Sequence, residues 1–152
     1  MYAYIIMKKK LIKQPFTLII YGPTGVGKTD LALDLAQHIP IEIINMDMGQ
    51  FYTPLSIGTA KPDWKNSPVP HHLFDIINEP RNFTVSEYRI LFYKKVGEII
   101  ERGNLPVVVG GSGFYLHSLL FSNDCCFHSY TACLAMYMAY SRKNEIQAYQ
   151  FY

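Results

Sequence analysis

The chain has 152 residues, of which 49% are hydrophobic and 17% charged, which suits one folded domain and excludes a disordered protein. Its formal net charge of +2 gives no independent support for a nucleic-acid partner. No stretch has the roughly 18 uncharged apolar residues that a membrane span requires, so we expect no membrane role. The three cysteines, Cys125, Cys126 and Cys133, fit neither a disulfide framework nor a zinc site, which favours a cytoplasmic protein.

The first predicted elements are a strand, a helix and a second strand. Phe16 to Tyr21 is a short apolar run with β-branched residues, typical of a buried strand. From Lys28 onward, apolar residues recur at helical spacing until Pro40 stops the pattern. Ile41 to Ile44 is a second predicted buried strand, and it ends close to Asp47.

A long loop and a capped helix follow. Residues 53–82 are rich in proline and show no clear period, so we interpret them as an ordered loop that has a function. Thr84 and Glu87 form a Thr-x-x-Glu capping box, which predicts the start of a helix. The apolar stripe of this helix continues towards Gly103, which is a suitable C-terminal stop.

The last clear elements are a third strand and another helix. Leu105 to Val109 is predicted as a strand that runs into the glycine cluster Gly110 to Gly113, and Phe114 to Phe121 as the helix after it. The cluster either supplies backbone donors and the Ser112 hydroxyl to a site at the end of this strand or forms a simple tight turn. Strands and helices alternate throughout, which predicts an α/β fold with a mostly parallel sheet.

We divide the chain into three parts. Residues 1–15 form an N-terminal extension, in which Met7 is an alternative start to Met1, and residues 16–122 form the domain. Residues 123–152 are an atypical tail that contains every cysteine, lacks glycine and proline, and shows no clean period. Two interpretations of the tail stay open: a helical extension packed on the domain, or out-of-frame translation after a lesion in the gene. We favour the second.

A phosphate-binding motif lies between the first strand and the first helix. Residues 22–29 fit the pattern G-x-x-x-x-G-K-[ST] at every position, and the alternative is a glycine-rich turn with a chance lysine. The glycines allow a turn whose N–H groups form an anion-binding nest, and the following helix adds its positive end. Lys28 is expected to neutralise a phosphate and Thr29 to offer its hydroxyl to Mg²⁺. The motif predicts a three-layer P-loop NTPase-like fold whose diphosphate or nucleotide contacts are Gly22, Pro23, Thr24, Gly25, Val26, Gly27, Lys28 and Thr29.

Asp47 is the candidate catalytic residue. A nucleoside-triphosphate hydrolase would have an apolar strand ending in a magnesium-binding aspartate, whereas the strand at Val107 to Val109 ends in glycines. Ligands bind beyond the carboxyl ends of parallel strands, so we expect Asp47 to face the phosphate site, where it accepts a proton or binds a metal ion. The alternative is an aspartate that only caps a turn. His71 and His72 suggest a second metal site, but no third ligand stands at suitable spacing.

Five segments, in order and at matching spacing, resemble the tRNA dimethylallyltransferase (isopentenyl transferase) family. The run Ile57-Gly58-Thr59-Ala60-Lys61-Pro62 is the most diagnostic of them. The resemblance covers residues 16–121 and corresponds to the N-terminal half of a family member. The five segments are Gly22 to Thr29, Ile43 to Tyr52, Ile57 to Pro62, Val69 to Ile76 and Val109 to Tyr115.

The resemblance implies a prenyltransferase that moves a dimethylallyl group from dimethylallyl diphosphate to N6 of an adenine beside the tRNA anticodon. It implies that the P-loop holds the diphosphate with the help of Mg²⁺, and that Asp47 accepts the proton of the amine. We also expect a monomer. The resemblance places five residues at the tRNA: Asp47, Met48, Gly49, Gln50 and Ser112.

The chain departs from the family pattern in three respects. Met48 replaces the usual serine after the aspartate, and Ser112 replaces a threonine. Family members are also considerably longer and carry a basic second half, so we expect a truncated chain, and whether it is active stays open. Two other functions stay open: a small-molecule P-loop kinase in which Asp47 orients an acceptor hydroxyl, and an inactive remnant that binds diphosphate.

Overall fold

The computed structural model describes residues 16–55, 58–120, 132–138 and 146–151, the last two stretches by their backbone course alone. The expectations for residues 1–15 and for most of the tail lie outside the described residues. The strands are β1 (Phe16–Tyr21), β2 (Ile41–Asn45), β3 (His71–His72), β4 (Leu105–Gly110), β5 (Ala132–Met138) and β6 (Ile146–Phe151). The helices are α1 (Lys28–Ala36), α2 (Met48–Phe51), α3 (Val85–Glu101) and α4 (Gly113–Leu120).

The strands form one sheet in the order β3-β2-β4-β1-β5-β6. Neighbouring strands run parallel, except that β6 runs antiparallel to β5. In register, Ile20 of β1 lies opposite Val109 of β4, and Val108 lies opposite Ile44 of β2. The carboxyl ends of β1, β2, β3 and β4 therefore meet at one edge of the sheet, which confirms the predicted mostly parallel α/β fold.

Helices cover both faces of the sheet because side chains alternate along each buried strand. In β1, Leu18 and Ile20 pack with Leu35 of α1, whereas Ile19 between them packs on the other face with Tyr88 of α3. All three β1 residues are fully buried. The three-layer arrangement that the sequence predicts is confirmed.

Helix α3 begins at the predicted capping box. The Thr84 hydroxyl accepts the N–H of Glu87 at 3.2 Å, and the Glu87 carboxylate accepts the N–H of Thr84 at 2.8 Å. Its buried stripe is the predicted one, from Tyr88 through Phe92, Val96 and Ile99. Just beyond the helix, Gly103 has φ of 79°, a conformation that glycine adopts without strain.

Two elements within residues 16–122 were not predicted. Strand β3 lies inside the segment 53–82 that the sequence indicates as loop, and it pairs its two residues with Ile43 and Ile44 of β2. Helix α2 follows Asp47 directly. Both are shorter than the stretch over which a hydrophobic period is measurable. Helix α1 also ends at Ala36, earlier than the apolar pattern indicates.

The tail contributes strands where the structure describes it. β5 lies parallel to β1, and β6 pairs with β5. These stretches are therefore not the helical extension that was one of the two interpretations, whereas out-of-frame translation stays a prediction. No helix in the described part of the chain is both long enough and apolar enough to cross a membrane.

Candidate functional site

A cleft of about 210 Å³ opens at the edge of the sheet where β1, β2, β3 and β4 end. Parallel strands bring their carboxyl ends to one edge, so the segments that follow separate strands meet there. Seven residues predicted to be functional line the cleft: Thr24, Gly25, Gly27, Lys28, Thr29, Asp47 and Gln50. The lining also includes Asp30, Ile43, Thr59, Ala60, Pro62, His71, Phe74, Val109 and Gly110.

The P-loop has the backbone form that its glycines predict. Gly25 and Gly27 have φ of 81° and 88°, in the left-handed region that other residues rarely adopt, and Gly27 is the N-cap of α1. The Lys28 ammonium donates to the Pro23 carbonyl oxygen at 2.7 Å, so it lies over its own loop. Burial lowers the pKa of Lys28, and the negative charge of Asp47 opposes that effect.

The remaining P-loop positions support the turn. Gly22 is buried, and its carbonyl oxygen would lie 3.1 Å from a Cβ at Gly111, so the P-loop and the glycine cluster pack closely. Val26 is half-buried. Thr29 lies in the first turn of α1 and lines the cleft.

The oxygen donors in the cleft fit a Mg²⁺ ion whose coordination comes mainly from the phosphate oxygens of a bound molecule. Mg²⁺ takes oxygen ligands and usually binds through one or two side chains together with phosphate oxygens and water. Thr29 offers a hydroxyl and Asp47 a carboxylate in the same cleft. Within residues 16–55 and 58–120, no group of three or more His, Cys, Asp or Glu side chains is arranged to hold a metal ion. A metal ion here would therefore depend on a bound phosphate.

Asp47 both caps a turn and faces the cleft, so the capping contact does not exclude a role at the phosphate site, and that role stays a prediction. Its Oδ1 accepts the N–H of Gly49 at 3.1 Å, which caps α2. Its own N–H donates to Oδ1 of Asn45 at 2.9 Å. Asn45 is fully buried, and its side-chain amide also donates to the carbonyl oxygen of Leu73 at 3.0 Å. The carboxylate is therefore fixed by the end of β2.

The residues after Asp47 face different surroundings. The Gln50 side chain lines the cleft and donates to the Thr59 carbonyl oxygen at 2.9 Å, so it braces the loop opposite. Met48 is exposed. A Cβ at Gly49 would lie 3.0 Å from the side chain of Thr59, so that loop approaches α2 closely.

The glycine cluster after β4 mainly permits close packing. A Cβ at Gly110 would lie 2.4 Å from the Met46 carbonyl oxygen, a distance that only the absence of a side chain allows. The Ser112 carbonyl oxygen accepts the N–H of Leu116 at 3.1 Å in the first turn of α4. Gly110 lines the cleft, whereas the described lining does not reach Ser112.

The two histidines of β3 point to different partners. His71 lines the cleft, its Nδ1 lies 2.7 Å from the Val69 carbonyl oxygen, and burial lowers the pKa of its ring. His72 Nε2 lies 2.6 Å from the carboxylate of Glu42. Successive residues of a strand face opposite sides, so the pair does not form one metal site.

Sequence reasoning did not predict that the proline-rich loop provides a wall of the cleft, including Thr59, Pro62 and Phe74, and it considered His71 only as a metal ligand. The one feature of the sequence that pointed to this wall was the length of the proline-rich loop, from which we predicted that the loop has a function. Lys61 within it forms an ion pair of 2.5 Å with Asp75, and its side chain is only 6% exposed. The loop is therefore held by this ion pair together with its buried apolar residues Val69, Leu73, Phe74 and Ile77, which show no regular period.

The fold and the cleft define the class of protein. The sheet is mostly parallel, and a glycine-rich turn and helix α1 follow β1. Asp47 follows β2 and lines the same cleft as the glycine-rich turn. The chain is an α/β protein with a P-loop NTPase-like fold.

Within that class, the chain belongs to the IPP transferase family, which confirms the resemblance seen in its motifs. The profile of the IPP transferase family matches residues 50–148, and that of isopentenyl transferase matches residues 16–70.

Named relatives agree with this assignment. The chain is 48% identical over 103 residues to the tRNA dimethylallyltransferase of Petrotoga mobilis, an alignment that covers 67% of this chain and 34% of that protein. It is 44% identical over 110 residues to the tRNA dimethylallyltransferase of Bacillus subtilis, covering 72% of this chain and 35% of that protein. The chain thus spans about a third of the length of these relatives.

Solved structures have the same fold. The tRNA isopentenylpyrophosphate transferase of Staphylococcus epidermidis superposes with a TM-score of 0.68 at 36% identity, covering 73% of this chain and 36% of that chain. A eukaryotic dimethylallyltransferase acting on tRNA superposes with a TM-score of 0.66 at 32% identity, covering 73% of this chain and 28% of that chain.

Proposed function

We propose that this chain forms the diphosphate-binding and base-carrying part of a tRNA dimethylallyltransferase. The reaction would transfer a dimethylallyl group from dimethylallyl diphosphate to N6 of an adenine next to the tRNA anticodon. The observation that supports this most directly is that Lys28, Thr29 and Asp47 line one cleft. That cleft thereby offers a cation and a hydroxyl for a diphosphate, and a carboxylate for an acceptor.

The P-loop would hold the diphosphate of the donor. Its N–H groups and the positive end of α1 favour an anion, and Lys28 would leave the Pro23 carbonyl oxygen to pair with a phosphate oxygen. Donors fixed at the departing diphosphate stabilise the charge that develops as it leaves. Mg²⁺ bound by Thr29 and phosphate oxygens would add Lewis-acid stabilisation of that charge.

Asp47 would act as the base. The amine nitrogen forms a bond to the allylic carbon while the carbon–oxygen bond breaks, and diphosphate leaves with the electron pair. One N–H proton then passes to the carboxylate. Oδ1 of Asp47 accepts the Gly49 N–H, which uses one of its lone pairs, so Oδ2 would be the more open oxygen for the proton. A base fixed by its backbone keeps the geometry that proton transfer requires.

The tRNA would enter beside α2 and the glycine cluster. Asp47, Met48, Gly49, Gln50 and Ser112 are the proposed contacts, and the exposed Met48 offers an apolar surface to a base. The relatives named above are tRNA-modifying enzymes by name, which supports this partner. The protein would act as a monomer in the cytoplasm.

The test replaces Asp47 by asparagine, which keeps the shape and removes the charge. Because the chain spans a third of its relatives, transfer is measured in this chain and in a chimera in which residues 16–120 replace the matching part of the Bacillus subtilis relative. We expect Asp47→Asn to lower transfer at least about a hundredfold while donor affinity is retained.

The matched control is Asp30→Asn, since Asp30 is another carboxylate that lines the cleft. Asp30→Asn should keep the rate of transfer within a few fold of the rate of the unaltered protein. Turnover retained in Asp47→Asn would contradict the assignment of the base. Release of ADP with a small alcohol, and no use of dimethylallyl diphosphate, would instead favour the kinase.

A further inference from the structure

The cleft has an apolar wall that neither the P-loop nor Asp47 explains. Ile43 and Val109 contribute from the strands, and Pro62 and Phe74 from the long loop. A diphosphate needs none of these side chains. A cleft that is cationic and hydroxylic on one side and apolar on the other fits a ligand with an anionic end and a hydrocarbon end.

Phe74 in this wall lies between two residues with unfavourable backbone conformations. Leu73 has φ of 61° and Asp75 has φ of 51°, although neither is glycine. Each such residue costs about 1–2 kcal/mol and persists only where the surrounding structure holds it. Because Leu73 and Asp75 flank Phe74, the surrounding structure that holds these two strained residues also fixes the position of the Phe74 ring.

Both strained residues are held by hydrogen bonds. The Asp75 carboxylate accepts from Lys61 at 2.5 Å and from the indole N–H of Trp64 at 3.1 Å. The Asp75 N–H donates to the Gln50 carbonyl oxygen at 3.1 Å. The Leu73 carbonyl oxygen accepts from the Asn45 side chain at 3.0 Å.

The Phe74 ring itself is fixed by two neighbouring rings. Trp64 stacks on it, with the ring centroids 5.9 Å apart and an interplanar angle of 21°. His71 meets it edge to face, with the centroids 5.5 Å apart. Such contacts add to packing and limit rotation of the ring. Phe74 is therefore a rigid part of the cleft wall.

The order of the strands places this ring across the cleft from the P-loop. β2 and β4 lie between β3 and β1, so Phe74, which follows β3, is about three strand spacings or roughly 14 Å along the edge from the P-loop. Asp47 follows β2 and lies between them. A donor whose diphosphate is bound at the P-loop would direct its hydrocarbon end towards β3.

We propose that Phe74, held by Trp64 and His71, forms the subsite for the hydrocarbon chain of the prenyl donor and limits the length of chain that the cleft accepts. This inference rests on the proposed function, which supplies the donor.

The test uses the full chain and compares three ligands: inorganic diphosphate, dimethylallyl diphosphate and the longer geranyl diphosphate, each with Mg²⁺. Trp64 is the only tryptophan of the sequence, so its fluorescence reports on the subsite in the unaltered protein, while calorimetry measures affinity in every variant. We expect dimethylallyl diphosphate to bind at least about tenfold more tightly than inorganic diphosphate, because its buried alkyl groups each add affinity.

In Phe74→Ala we expect that preference to disappear, geranyl diphosphate to gain affinity, and inorganic diphosphate to bind as before. Phe74→Leu keeps an apolar side chain of intermediate size, so its preference for dimethylallyl diphosphate should lie between those of the unaltered protein and Phe74→Ala. It also provides a variant that folds if the alanine variant does not. The control is Phe114→Ala, since Phe114 is an exposed phenylalanine, and it should retain the preference.

The failures of the two proposals are distinguishable. If the unaltered chain binds no inorganic diphosphate, the proposed function fails and the subsite with it. If diphosphate binds but the preference for dimethylallyl diphosphate persists in both Phe74 variants, the subsite alone is overturned. It is also overturned if those variants lose affinity for adenosine monophosphate instead, because the ring then serves the acceptor base.

Discussion

Replacing Glu42 by glutamine should destabilise the protein in a manner that depends on pH. Glu42 lies in β2 and is buried to 2% exposure. Its carboxylate accepts two hydrogen bonds from the Arg102 guanidinium, at 2.8 and 2.7 Å, and one from the Asn104 amide at 2.8 Å. His72 Nε2 lies 2.6 Å from the same carboxylate. Glu42 thereby connects the edge strand β3 with the end of α3.

The magnitude follows from the pKa of this carboxyl group. The Arg102 guanidinium holds the pKa of Glu42 at about 2 against its usual 4.5, Asn104 and His72 act in the same direction, and burial opposes them. Since one pH unit corresponds to about 1.4 kcal/mol, the ionised carboxylate contributes about 3 kcal/mol at neutral pH. This is an upper value, because the Arg102 side chain is 46% exposed and solvent screens the pair.

The sign follows from the direction of the pKa change. A carboxyl group whose pKa is lower in the folded state stabilises the protein above its unfolded pKa of 4.5, and this contribution is lost as the pH falls towards 2. At neutral pH, Glu42→Gln should therefore be less stable than the unaltered protein by about 2–3 kcal/mol. The difference between the two should shrink as the pH falls below 4.5.

The assay is urea unfolding, followed by circular dichroism from neutral pH down to about pH 3, which lies between the two pKa values. Glu79→Gln is the control, because it removes the same charge from an exposed glutamate. Its stability should follow that of the unaltered protein at each pH. The free energies of unfolding of Glu42→Gln and the unaltered protein could instead differ by the same amount at every pH. That result would refute the assignment of the low pKa to this network.

Two further substitutions test the local structure. Thr84→Ala removes the hydroxyl that caps α3 and should lower the free energy of unfolding by about 1 kcal/mol; an unchanged urea midpoint would contradict the capping box. Gly110→Ala places a Cβ 2.4 Å from the Met46 carbonyl oxygen, so we expect a loss of about 1–3 kcal/mol and weaker diphosphate binding. Gly97→Ala is its control: Gly97 lies inside α3 with open space around its Cβ position, and the same substitution should stabilise the protein there by about 0.5–1 kcal/mol.

Much of the fold could be predicted from the sequence because its strongest patterns are local. The buried strands β1, β2 and β4 consist mostly of apolar residues, and the 17-residue helix α3 has both a capping box and a buried apolar stripe. The meeting of Asp47 with the P-loop was predictable for a different reason. It requires only that the strands be parallel, since their carboxyl ends then lie at one edge.

The aromatic wall of the cleft could not be predicted, because it depends on contacts between distant residues. Leu73 and Asp75 adopt positive φ without being glycine, so no residue type in the sequence marks the turn. Their conformations are held by Lys61 and Asn45, from other segments. Glu42 likewise finds its partner Arg102 sixty positions along the chain. Neither set of contacts leaves a hydrophobic period in the sequence, and the motifs that contain Asn45, Lys61 and Asp75 do not show which side chains contact each other.

The two sides of the cleft are connected through Asn45. Its side-chain amide donates to the carbonyl oxygen of Asp47 at 3.2 Å and to that of Leu73 at 3.0 Å, while its Oδ1 accepts the Asp47 N–H. A buried amide is costly unless its hydrogen bonds are satisfied, and here all three partners are backbone groups of the residues that place the carboxylate and the aromatic ring. The proposed base and the proposed hydrocarbon subsite therefore share one support at the end of β2. A disturbance of that support would move both, which is why the Asp47 and Phe74 substitutions change side chains beyond the support and leave Asn45 in place.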